Sequence, residues 1–567
     1  MTIKRLNILG LGLVGLLSLA GCTDFDDYNE VKTLSEKAAN YSLWHNIATS
    51  DSLCHFARLV EKAGWKEQLQ TPGYYTVWAP VDGSYDAESL LASDSATVLR
   101  KFVLNHIAQY KHPAIGALDE RVLMLNSKST TFEGADTYTF GHRNVTQANL
   151  PNTNGLLHLT DGQVAFLFNL YENLSGPQTD SDERWHTDSI CNYLLRYETK
   201  TLDTKNSILG PIVDGKQTYI DSVMVVVNSM LSSMRAHLSV EDSSYTFLMP
   251  NNEAWSTAYS HIRPYFNYIN VTTAQKLTDN DANTTGTLSA SIDAKALGDS
   301  LTRRHITANL VFNNNDTYNR WMESGEDVGD TLYSTRRSKL SGPQNILEHQ
   351  VGSREMSNGR VRIVDSLAMK DWETFAPQIL ATARACRARV LKGNLHNLSI
   401  ATDSSDSSDT PDSYVWVEPS TASALPELDI ALPNVLSTTY NIYCVVVPST
   451  FDTPDSITPC KPNRLNFELS YTTASGSVGK KALLQAYVTD KSKVDTVQIG
   501  TFTFPVCYQG LTADGQPLRP NIKITSKLSI FNKTDMNTFT RDLRIAAIIM
   551  RPTAYDEYLN KQKNSAK

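Results

Sequence analysis

One cysteine near the N-terminus has neighbours that suit it for covalent lipid attachment. Cys22 follows the tripeptide Leu-Ala-Gly, and the four residues together match the lipobox at which bacterial signal peptides are cleaved. A Lys-Arg pair precedes an apolar segment, residues 6–19, that is too short to span a bilayer as a mature helix. The Cys22 thiol accepts a diacylglycerol, and the amine that cleavage frees accepts a third acyl chain. Several chains hold a protein on a membrane more firmly than one. We therefore predict a signal peptide over residues 1–21 and lipid attachment at Cys22.

Acidic residues directly after Cys22 indicate where the anchored protein is delivered. Asp24, Asp26 and Asp27 follow within five residues. This stretch resembles the acidic export signal of Bacteroidota lipoproteins, which are sent to the outer leaflet of the outer membrane; a solvated acidic tether is the alternative. We expect residues 22–39 to be an acidic tether and the lipid-anchored protein to face the cell exterior.

Composition excludes several classes of partner and site. The chain has 60 acidic and 52 basic residues and a net charge of −8, so it lacks the basic composition typical of nucleic-acid-binding proteins. Its length is enough for about three or four domains. The cysteines after Cys22 form no Cys-x-x-Cys pair, which argues against a zinc site. They are expected to be mostly buried thiols. A single disulfide among Cys444, Cys460 and Cys507 is the alternative.

The motifs of common catalytic centres are missing from the sequence. After the predicted signal peptide it contains no His-Glu-x-x-His, Gly-x-Ser-x-Gly or Gly-x-Gly-x-x-Gly. Residues 210–216 have the spacing of a P-loop, but Gln217 replaces the Ser or Thr that binds Mg²⁺, and residues 219–221 are predicted to form a strand instead of a helix. We interpret residues 214–215 as a hairpin turn. The sequence thus predicts a non-enzymatic protein without catalytic residues, cofactor or metal.

Three short motifs occur twice in the same order along the chain. The first is a β-rich run ended by a proline and followed by a capping residue (Asp82 in one copy, Asn251 or Asn252 in the other). The second places a histidine before an isoleucine, and the third is Asn-Gly before an apolar run, which is a hairpin signal. The paired segments are 75–85 with 245–255, 104–107 with 304–306, and 154–161 with 358–365. Such a repeat predicts two related units.

Buried positions are predicted around these motifs. Apolar residues at steps of three and four between Leu43 and Ala63 predict a helical start to the first unit, with a stop at Gly64. The motif histidines lie inside apolar runs and are interpreted as hydrogen-bonded core residues: His106, His158 and His305.

The three motifs resemble those of the fasciclin domain. The strand–Pro–helix box, the segment with His106 and the Asn-Gly strand with His158 carry the resemblance, while Arg362 stands where the family has the histidine of the last motif. The resemblance implies an α+β fold in which two fasciclin-like β-sandwich wedges with flanking helices occupy residues 40–165 and 166–371. It also implies adhesion to, or binding of, an extracellular ligand.

The remaining chain is predicted to form an all-β sandwich domain. A helix at residues 379–391 and a Ser/Asp-rich linker make up residues 372–412, the sandwich spans 413–553, and 554–567 are a polar tail. Tyr414 and Trp416 share one face of a predicted strand. Because aromatic rings pack on the C–H faces of sugars, we predict these two residues as the ligand-binding pair.

Together these features favour a non-enzymatic, surface-exposed outer-membrane lipoprotein that binds an extracellular glycan or protein. Two alternatives stay open. One is an accessory subunit of a SusC/SusD-type nutrient-uptake complex, with a TonB-dependent transporter as partner. The other is a glycan- or peptide-degrading enzyme, which the missing motifs disfavour.

Overall fold

The fold is mixed α+β, as predicted, and consists of two α+β units followed by a two-sheet domain. The computed structural model describes residues 40–176, 182–205, 207–213, 215–221, 224–270, 276–278, 285–287, 292–325, 328–384, 389–400, 411–451, 460–510 and 520–565. The predicted signal peptide, the lipid attachment residue Cys22 and the acidic tether lie outside these residues. Among the helices described, none has the length and apolar character to cross a membrane.

The first unit is a seven-stranded sheet with strand order β2-β1-β7-β6-β5-β4-β3 and helices packed on one side. Its elements are α1 (Leu43–Ala48), α2 (Cys54–Lys62), α3 (Lys66–Gln70), β1 (Tyr75–Pro80), α4 (Ala87–Ala92), α5 (Ser95–Lys101), β2 (Ile107–Gln109), β3 (Leu118–Leu123), β4 (Ser129–Gly134), β5 (Tyr138–Phe140), β6 (Arg143–Asn152) and β7 (Gly155–Thr160).

Alternate residues of β1 face two different core layers, as the period of two in a strand requires. Val77 and Ala79 belong to the buried cluster that includes α1 and α2. Trp78 faces the other way, and its ring stacks on Phe140 with centroids 4.0 Å apart. Strand β1 is therefore buried on both faces.

The helical start of the first unit is divided into three helices. The apolar residues of the pattern are buried, and Gly64 ends α2 with a φ of +71°. The prediction that Asp82 caps the following helix is wrong. Its carboxylate accepts a hydrogen bond from the backbone N–H of His55 in α2 (3.1 Å), and Asp86 caps α4 instead.

The second unit has a four-stranded sheet with strand order β15-β12-β19-β18 and a β-hairpin arm built from β8 to β11. Its elements are α6 (Glu172–Ser175), α7 (Asp188–Leu195), β8 (Glu198–Leu202), β9 (Ile208–Val213), β10 (Lys216–Asp221), β11 (Met224–Asn228), α8 (Ser229–Ser233), β12 (Tyr245–Pro250), α9 (Asn252–Ile262), β13 (Lys276–Thr278), β14 (Thr285–Thr287), α10 (Ala294–Thr307), β15 (Val311–Asn313), α11 (Trp321–Ser324), β16 (Thr331–Tyr333), β17 (Lys339–Ser341), α12 (Pro343–Leu347), β18 (Gln350–Met356) and β19 (Gly359–Val364). The P-loop-like segment lies in the arm, where β10 follows the turn that was predicted at residues 214–215; Asp214 itself lies outside the described residues.

The two units share one pairing of parallel strands in the same register. Tyr75 lies opposite Gly155 in β1 and β7, and Tyr245 lies opposite Gly359 in β12 and β19. A Cβ atom at Gly155 would lie 2.0 Å from the Tyr75 carbonyl oxygen, and one at Gly359 would lie 1.9 Å from that of Tyr245. Only glycine fits at this close approach of two backbones.

The asparagine before each of these glycines fixes the start of its unit. The Asn154 side chain accepts from the Leu43 N–H (2.8 Å) and donates to the Leu69 and Thr71 carbonyls (2.9 Å each). Asn358 makes the corresponding three bonds, from the Leu170 N–H and to the carbonyls of residues 238 and 240. Both asparagines are buried, so each ties two chain segments to the strand hairpin.

The C-terminal domain is a sandwich of two six-stranded sheets around a shared core. One sheet has the order β22-β23-β31-β25-β29 with β20 beside β31, and the other has β21-β24-β30-β26-β27 with β28 beside β26. Its elements are α13 (Asp371–Thr374), β20 (Ile379–Thr382), β21 (Arg389–Leu391), β22 (Gly393–Ser399), β23 (Ser413–Pro419), β24 (Glu427–Ala431), β25 (Thr439–Val446), β26 (Arg464–Thr472), β27 (Val478–Ala482), β28 (Tyr487–Val488), β29 (Asp495–Thr503), β30 (Asn521–Ser526), α14 (Lys533–Thr538), β31 (Leu543–Pro552) and α15 (Thr553–Ser565).

Two predictions about the ends of this domain are wrong. The predicted helix at 379–391 is instead β20 and β21, which join opposite sheets by pairing with β31 and β24; this tertiary pairing overrides local helical spacing. The predicted polar tail forms α15, because Asp556 is buried and accepts hydrogen bonds from Asn441 (2.8 Å) and the Tyr443 hydroxyl. Most of the predicted Ser/Asp-rich linker lies outside the described residues.

The second unit and the sandwich share one continuous buried core. Polar contacts join them at the same place: the Asn267 N–H donates to the Ser437 hydroxyl (3.0 Å), and the Tyr268 hydroxyl donates to the Gln509 carbonyl (2.6 Å). The two domains are therefore packed together through both apolar and polar contacts.

Candidate functional site

A row of three side chains crosses the strands β22, β23 and β31 at one edge of the sandwich. Trp416 lies opposite His396 on one side and Arg544 on the other. The His396 ring lies 4.7 Å from the Trp416 ring, and the Arg544 guanidinium carbon lies 5.1 Å from it. Such neighbours across strands interact directly, so the indole is held in a fixed position between an imidazole and a cation.

Carboxylates complete this row, which we call the Trp416 row (His396, Trp416, Glu418, Asp542 and Arg544). The indole N–H of Trp416 donates to Asp542 Oδ2 (3.1 Å), and Arg544 pairs with the same oxygen at 3.2 Å. His396 Nε2 lies 3.4 Å from Glu418 Oε2, and both side chains are exposed. An aromatic edge beside an exposed imidazole and carboxylate offers apolar contact together with hydrogen-bond donors and acceptors for hydroxyl groups.

The prediction that Tyr414 and Trp416 form an exposed pair is wrong for Tyr414. The two do share a face of β23, but Tyr414 is only 1% exposed and belongs to a buried cluster with Ile400 and Val447. Trp416 is partly exposed at the margin of that cluster. Sequence analysis missed His396 and Arg544, because nothing in the sequence shows the strand register that brings them to Trp416.

A second candidate surface is a groove of about 550 Å³ in the first unit. It lies between the loop at residues 50–53 and strand β6, with Gln147, Leu150 and Pro151 on the strand side. The pairing of β6 with β7 is irregular on both sides of Gln147, and such bulges redirect side chains. The groove combines serine, asparagine and glutamine groups with leucines, which suits a small amphipathic ligand.

The described cysteines are free thiols, so the disulfide left open at residues 444, 460 and 507 is not formed. Burial raises the pKa of Cys444, and it raises that of Cys507 to about 11. Thiols with raised pKa values are poor nucleophiles at neutral pH. Within the described part of the chain no group of three or more His, Cys, Asp or Glu residues is placed to hold a metal ion.

Two of the motif histidines are core residues, as interpreted. His106 is fully buried; its Nδ1 lies 2.7 Å from the Phe102 carbonyl, and its Nε2 accepts from the Val164 N–H at 2.9 Å. These two bonds require the neutral tautomer with the proton on Nδ1. Burial lowers the pKa of His106 and of His158 to about 4. Neither can act as a base that titrates near neutral pH.

Comparison with protein families matches one part of the chain. The matching segment spans α2 to β7 and contains most of the residues that line the groove beside β6. Residues 51–163 are a fasciclin domain. The Trp416 row lies outside this fasciclin domain, in the C-terminal sandwich.

Similar solved structures include fasciclin and carbohydrate-active proteins. The FAS1 domain pair of the insect cell adhesion molecule fasciclin I is 12% identical, covering 58% of this chain and 97% of that chain, with a TM-score of 0.19. A Paenibacillus xanthan lyase is 9% identical over 35% of this chain and 15% of its own, with a TM-score of 0.20. The C-terminal family 22 carbohydrate binding module of Clostridium thermocellum Xyn10B is 9% identical over 30% and 92%, with a TM-score of 0.19. No curated protein matches the sequence. At these TM-scores the likenesses carry no conclusion about ligand.

Proposed function

We propose that this protein is a non-enzymatic lipoprotein, anchored through Cys22 on the exterior of the outer membrane, that binds an extracellular glycan or protein. The fasciclin domain at residues 51–163 supports an adhesive or binding role. Such a role follows from the family by analogy, so the ligand must come from the chemistry of particular sites.

A second fasciclin-like domain in residues 166–371 is part of this proposal. It is supported by the shared register of β1–β7 and β12–β19 and by the equivalent bonds of Asn154 and Asn358. Because the sandwich shares a common core with this unit, a binding face on the sandwich would be held in a fixed orientation relative to this unit.

The Trp416 row is the observation that favours a glycan as the ligand. A partly exposed indole, fixed by Asp542 and flanked by His396 and Glu418, combines an apolar ring with exposed polar groups. Sugar rings need both kinds of contact. We therefore infer that a neutral or weakly polar sugar face packs at this edge of the sandwich.

Binding to glycan and matrix-protein arrays tests this function, with Trp416→Ala as the variant. We expect the variant to lose about tenfold or more in affinity, because aromatic anchors dominate such contacts. The matched control is Tyr318→Ala, which removes an exposed ring of the second unit and should leave binding unchanged. Absence of binding to every glycan, matrix protein and cell type would contradict the proposal.

Anchoring and partners need separate measurements. Cys22→Ala is expected to abolish incorporation of labelled palmitate and to release the protein from membranes, and protease treatment of intact cells should digest the native protein. Purification in detergent then distinguishes the alternative role. Co-purification of a TonB-dependent barrel with its SusD-type lipoprotein would favour the role of an uptake-complex subunit over that of an independent binding protein.

A further inference from the structure

Three arginines from separate elements meet on the surface of the second unit. Arg235 follows α8, Arg304 lies in the last turn of α10, and Arg336 lies in the turn between β16 and β17. All three are exposed. The hydroxyl of Thr335 donates to the Met234 carbonyl (2.6 Å), so the residue before Arg336 is bonded to the residue before Arg235.

The same turn is also tied to the end of α10. The Ser334 hydroxyl donates to Asn309 Oδ1 (3.0 Å), and the Thr335 N–H donates to the Val311 carbonyl (2.9 Å). The three arginine-bearing segments are thus held together by hydrogen bonds of the fold. Their proximity does not depend on the rotamers of exposed side chains.

Electrostatics within this arginine cluster (Arg235, Arg304 and Arg336) is repulsive. Burial, and then the charges of Arg304 and Arg235, lower the pKa of the Arg336 guanidinium. Across the chain segments that the structure describes, none of the three forms an ion pair with a carboxylate. This is notable in a chain with 60 acidic residues, because like charges brought together cost stability unless an anion offsets them.

The dipole of α10 accounts for only part of this arrangement. A cation in the last turn of a helix is stabilised by the helix dipole, which explains Arg304. It does not explain why Arg235 and Arg336 are brought to the same place from other elements. An external anion would offset the repulsion among all three.

A groove of about 540 Å³ adjoins the cluster. The cations Arg196, Lys295 and Arg303 and the carboxylates of Asp293 and Asp299 line it together with Tyr197, so the cations exceed the carboxylates by one. Arg303, which lines the groove, directly precedes Arg304 in α10, and this places the groove beside the cluster. Arg196 has no ion-pair partner among the described residues. Tyr193 also lines the groove but is only 5% exposed, so the half-buried Tyr197 is the tyrosine ring that a sugar ring can contact.

We propose that the arginine cluster and its groove bind an anionic polysaccharide that carries carboxylate or sulfate groups. Guanidinium groups bind such anions through two parallel hydrogen bonds, and the half-buried Tyr197 offers apolar contact to a sugar ring between them. This site is separate from the Trp416 row and stands even if that row binds nothing.

Binding of the full-length chain in detergent to heparin (sulfated), polygalacturonate (carboxylated) and dextran (neutral) tests the proposal. We expect binding to at least one of the two anionic polymers, which identifies the preferred group, and none to dextran. Affinity should fall about tenfold or more between 50 and 200 mM salt, as ions are released from the polymer. Equal binding to dextran, or binding to neither anionic polymer, would overturn the proposal.

Variants locate the site. The triple change Arg235→Gln, Arg304→Gln and Arg336→Gln is expected to weaken binding at least tenfold. The matched control is Arg58→Gln, Arg143→Gln and Arg184→Gln, which changes the net charge equally at exposed arginines elsewhere and should bind like the native chain. If the triple variant melts early, the double change at 235 and 304 replaces it. Equal losses in both sets, or tighter binding of duplex DNA than of either polysaccharide, would refute a polysaccharide site at this cluster.

Discussion

At the scale of residues, buried polar side chains determine how the first and second units are closed. Asn154 and Asn358 each bond one N–H and two carbonyl groups from segments distant in the chain. Sequence analysis identified the Asn-Gly pairs as hairpin signals. It did not predict that the Asn154 amide would bond to a residue 85 positions away, or the Asn358 amide to one 120 positions away. Such partners are set only when the segments fold together.

Asn154→Ala should destabilise the first unit by about 3 kcal/mol, because it leaves the Leu43 N–H and two carbonyls unpaired. Urea unfolding followed by tryptophan fluorescence measures the change. Thr153→Ala, at the exposed neighbouring position, is the control and should cost less than about 0.5 kcal/mol. Equal effects of the two changes would contradict the role given to Asn154.

The buried histidines make the protein sensitive to acid. The pKa values of His106 and His158 are lowered to about 4 by burial, against about 6.5 in an unfolded chain. The unfolded state therefore binds more protons between pH 6.5 and 4, so stability is complete above this window and is lost as the pH falls through it. The loss approaches about 3 kcal/mol for each histidine.

Histidine NMR signals at different pH values measure this effect. The Cε1–H signals of His106 and His158, assigned by single substitutions, should stay constant down to about pH 5, while the urea midpoint falls from pH 6.5 to 4.5. Signals that titrate near pH 6.5 in the folded protein would refute the neutral state of these histidines.

At the scale of elements, strand pairing determines the secondary structure of a segment more strongly than its local propensity does. The parallel pair β1–β7 requires glycine at position 155, since a Cβ atom there would collide with the Tyr75 carbonyl. The segment 379–391 has helical spacing but forms two strands, because β31 and β24 have unpaired edges at that place. The hairpin that leads into β7 was therefore predictable from its Asn-Gly pair, whereas strands β20 and β21 were not predictable from their local sequence.

Gly155→Ala should destabilise the first unit by about 3 kcal/mol or more, because two backbones must separate. Gly83→Ala is the control: Gly83 also has a positive φ of +80°, but no atom lies within 4 Å of the added Cβ. The control should cost only about 1 kcal/mol for its backbone strain. Thermal unfolding of both variants compares them, and similar losses would mean that strain, not the close approach, limits position 155.

At the scale of the whole molecule, ion pairs fix the fasciclin domain to the second unit. Lys128 lies between Glu172 (2.5 Å) and Glu241 (3.5 Å), and its side chain is only 5% exposed. Glu241 also accepts from the Ser129 N–H and the Ser357 hydroxyl. The Arg121 guanidinium donates to the Ser357 carbonyl (2.6 Å). These contacts hold the two units in one orientation.

Lys128→Met should loosen this junction, because it leaves two carboxylates without their buried cation, at a cost of about 3 kcal/mol. We expect faster limited proteolysis between β7 and α6 and a larger radius of gyration in X-ray scattering. Lys66→Met removes an exposed pair with Glu61 and should leave both measurements unchanged. An unchanged radius and cleavage rate in Lys128→Met would show that apolar contacts alone hold the junction.

The sequence by itself determined the composition class and the repeated motifs, because local turn chemistry and apolar periodicity are written in neighbouring residues. The resemblance of those motifs to the fasciclin domain predicted the α+β fold and the units at residues 40–165 and 166–371, and residues 51–163 match that family. Tertiary structure alone decided that Tyr414 is buried and Trp416 is not, that α15 docks through Asp556, and that Arg235, Arg304 and Arg336 meet. Each of these depends on strand register or on packing between segments distant in the chain, and the free energy of such contacts has no signature in a single stretch of sequence.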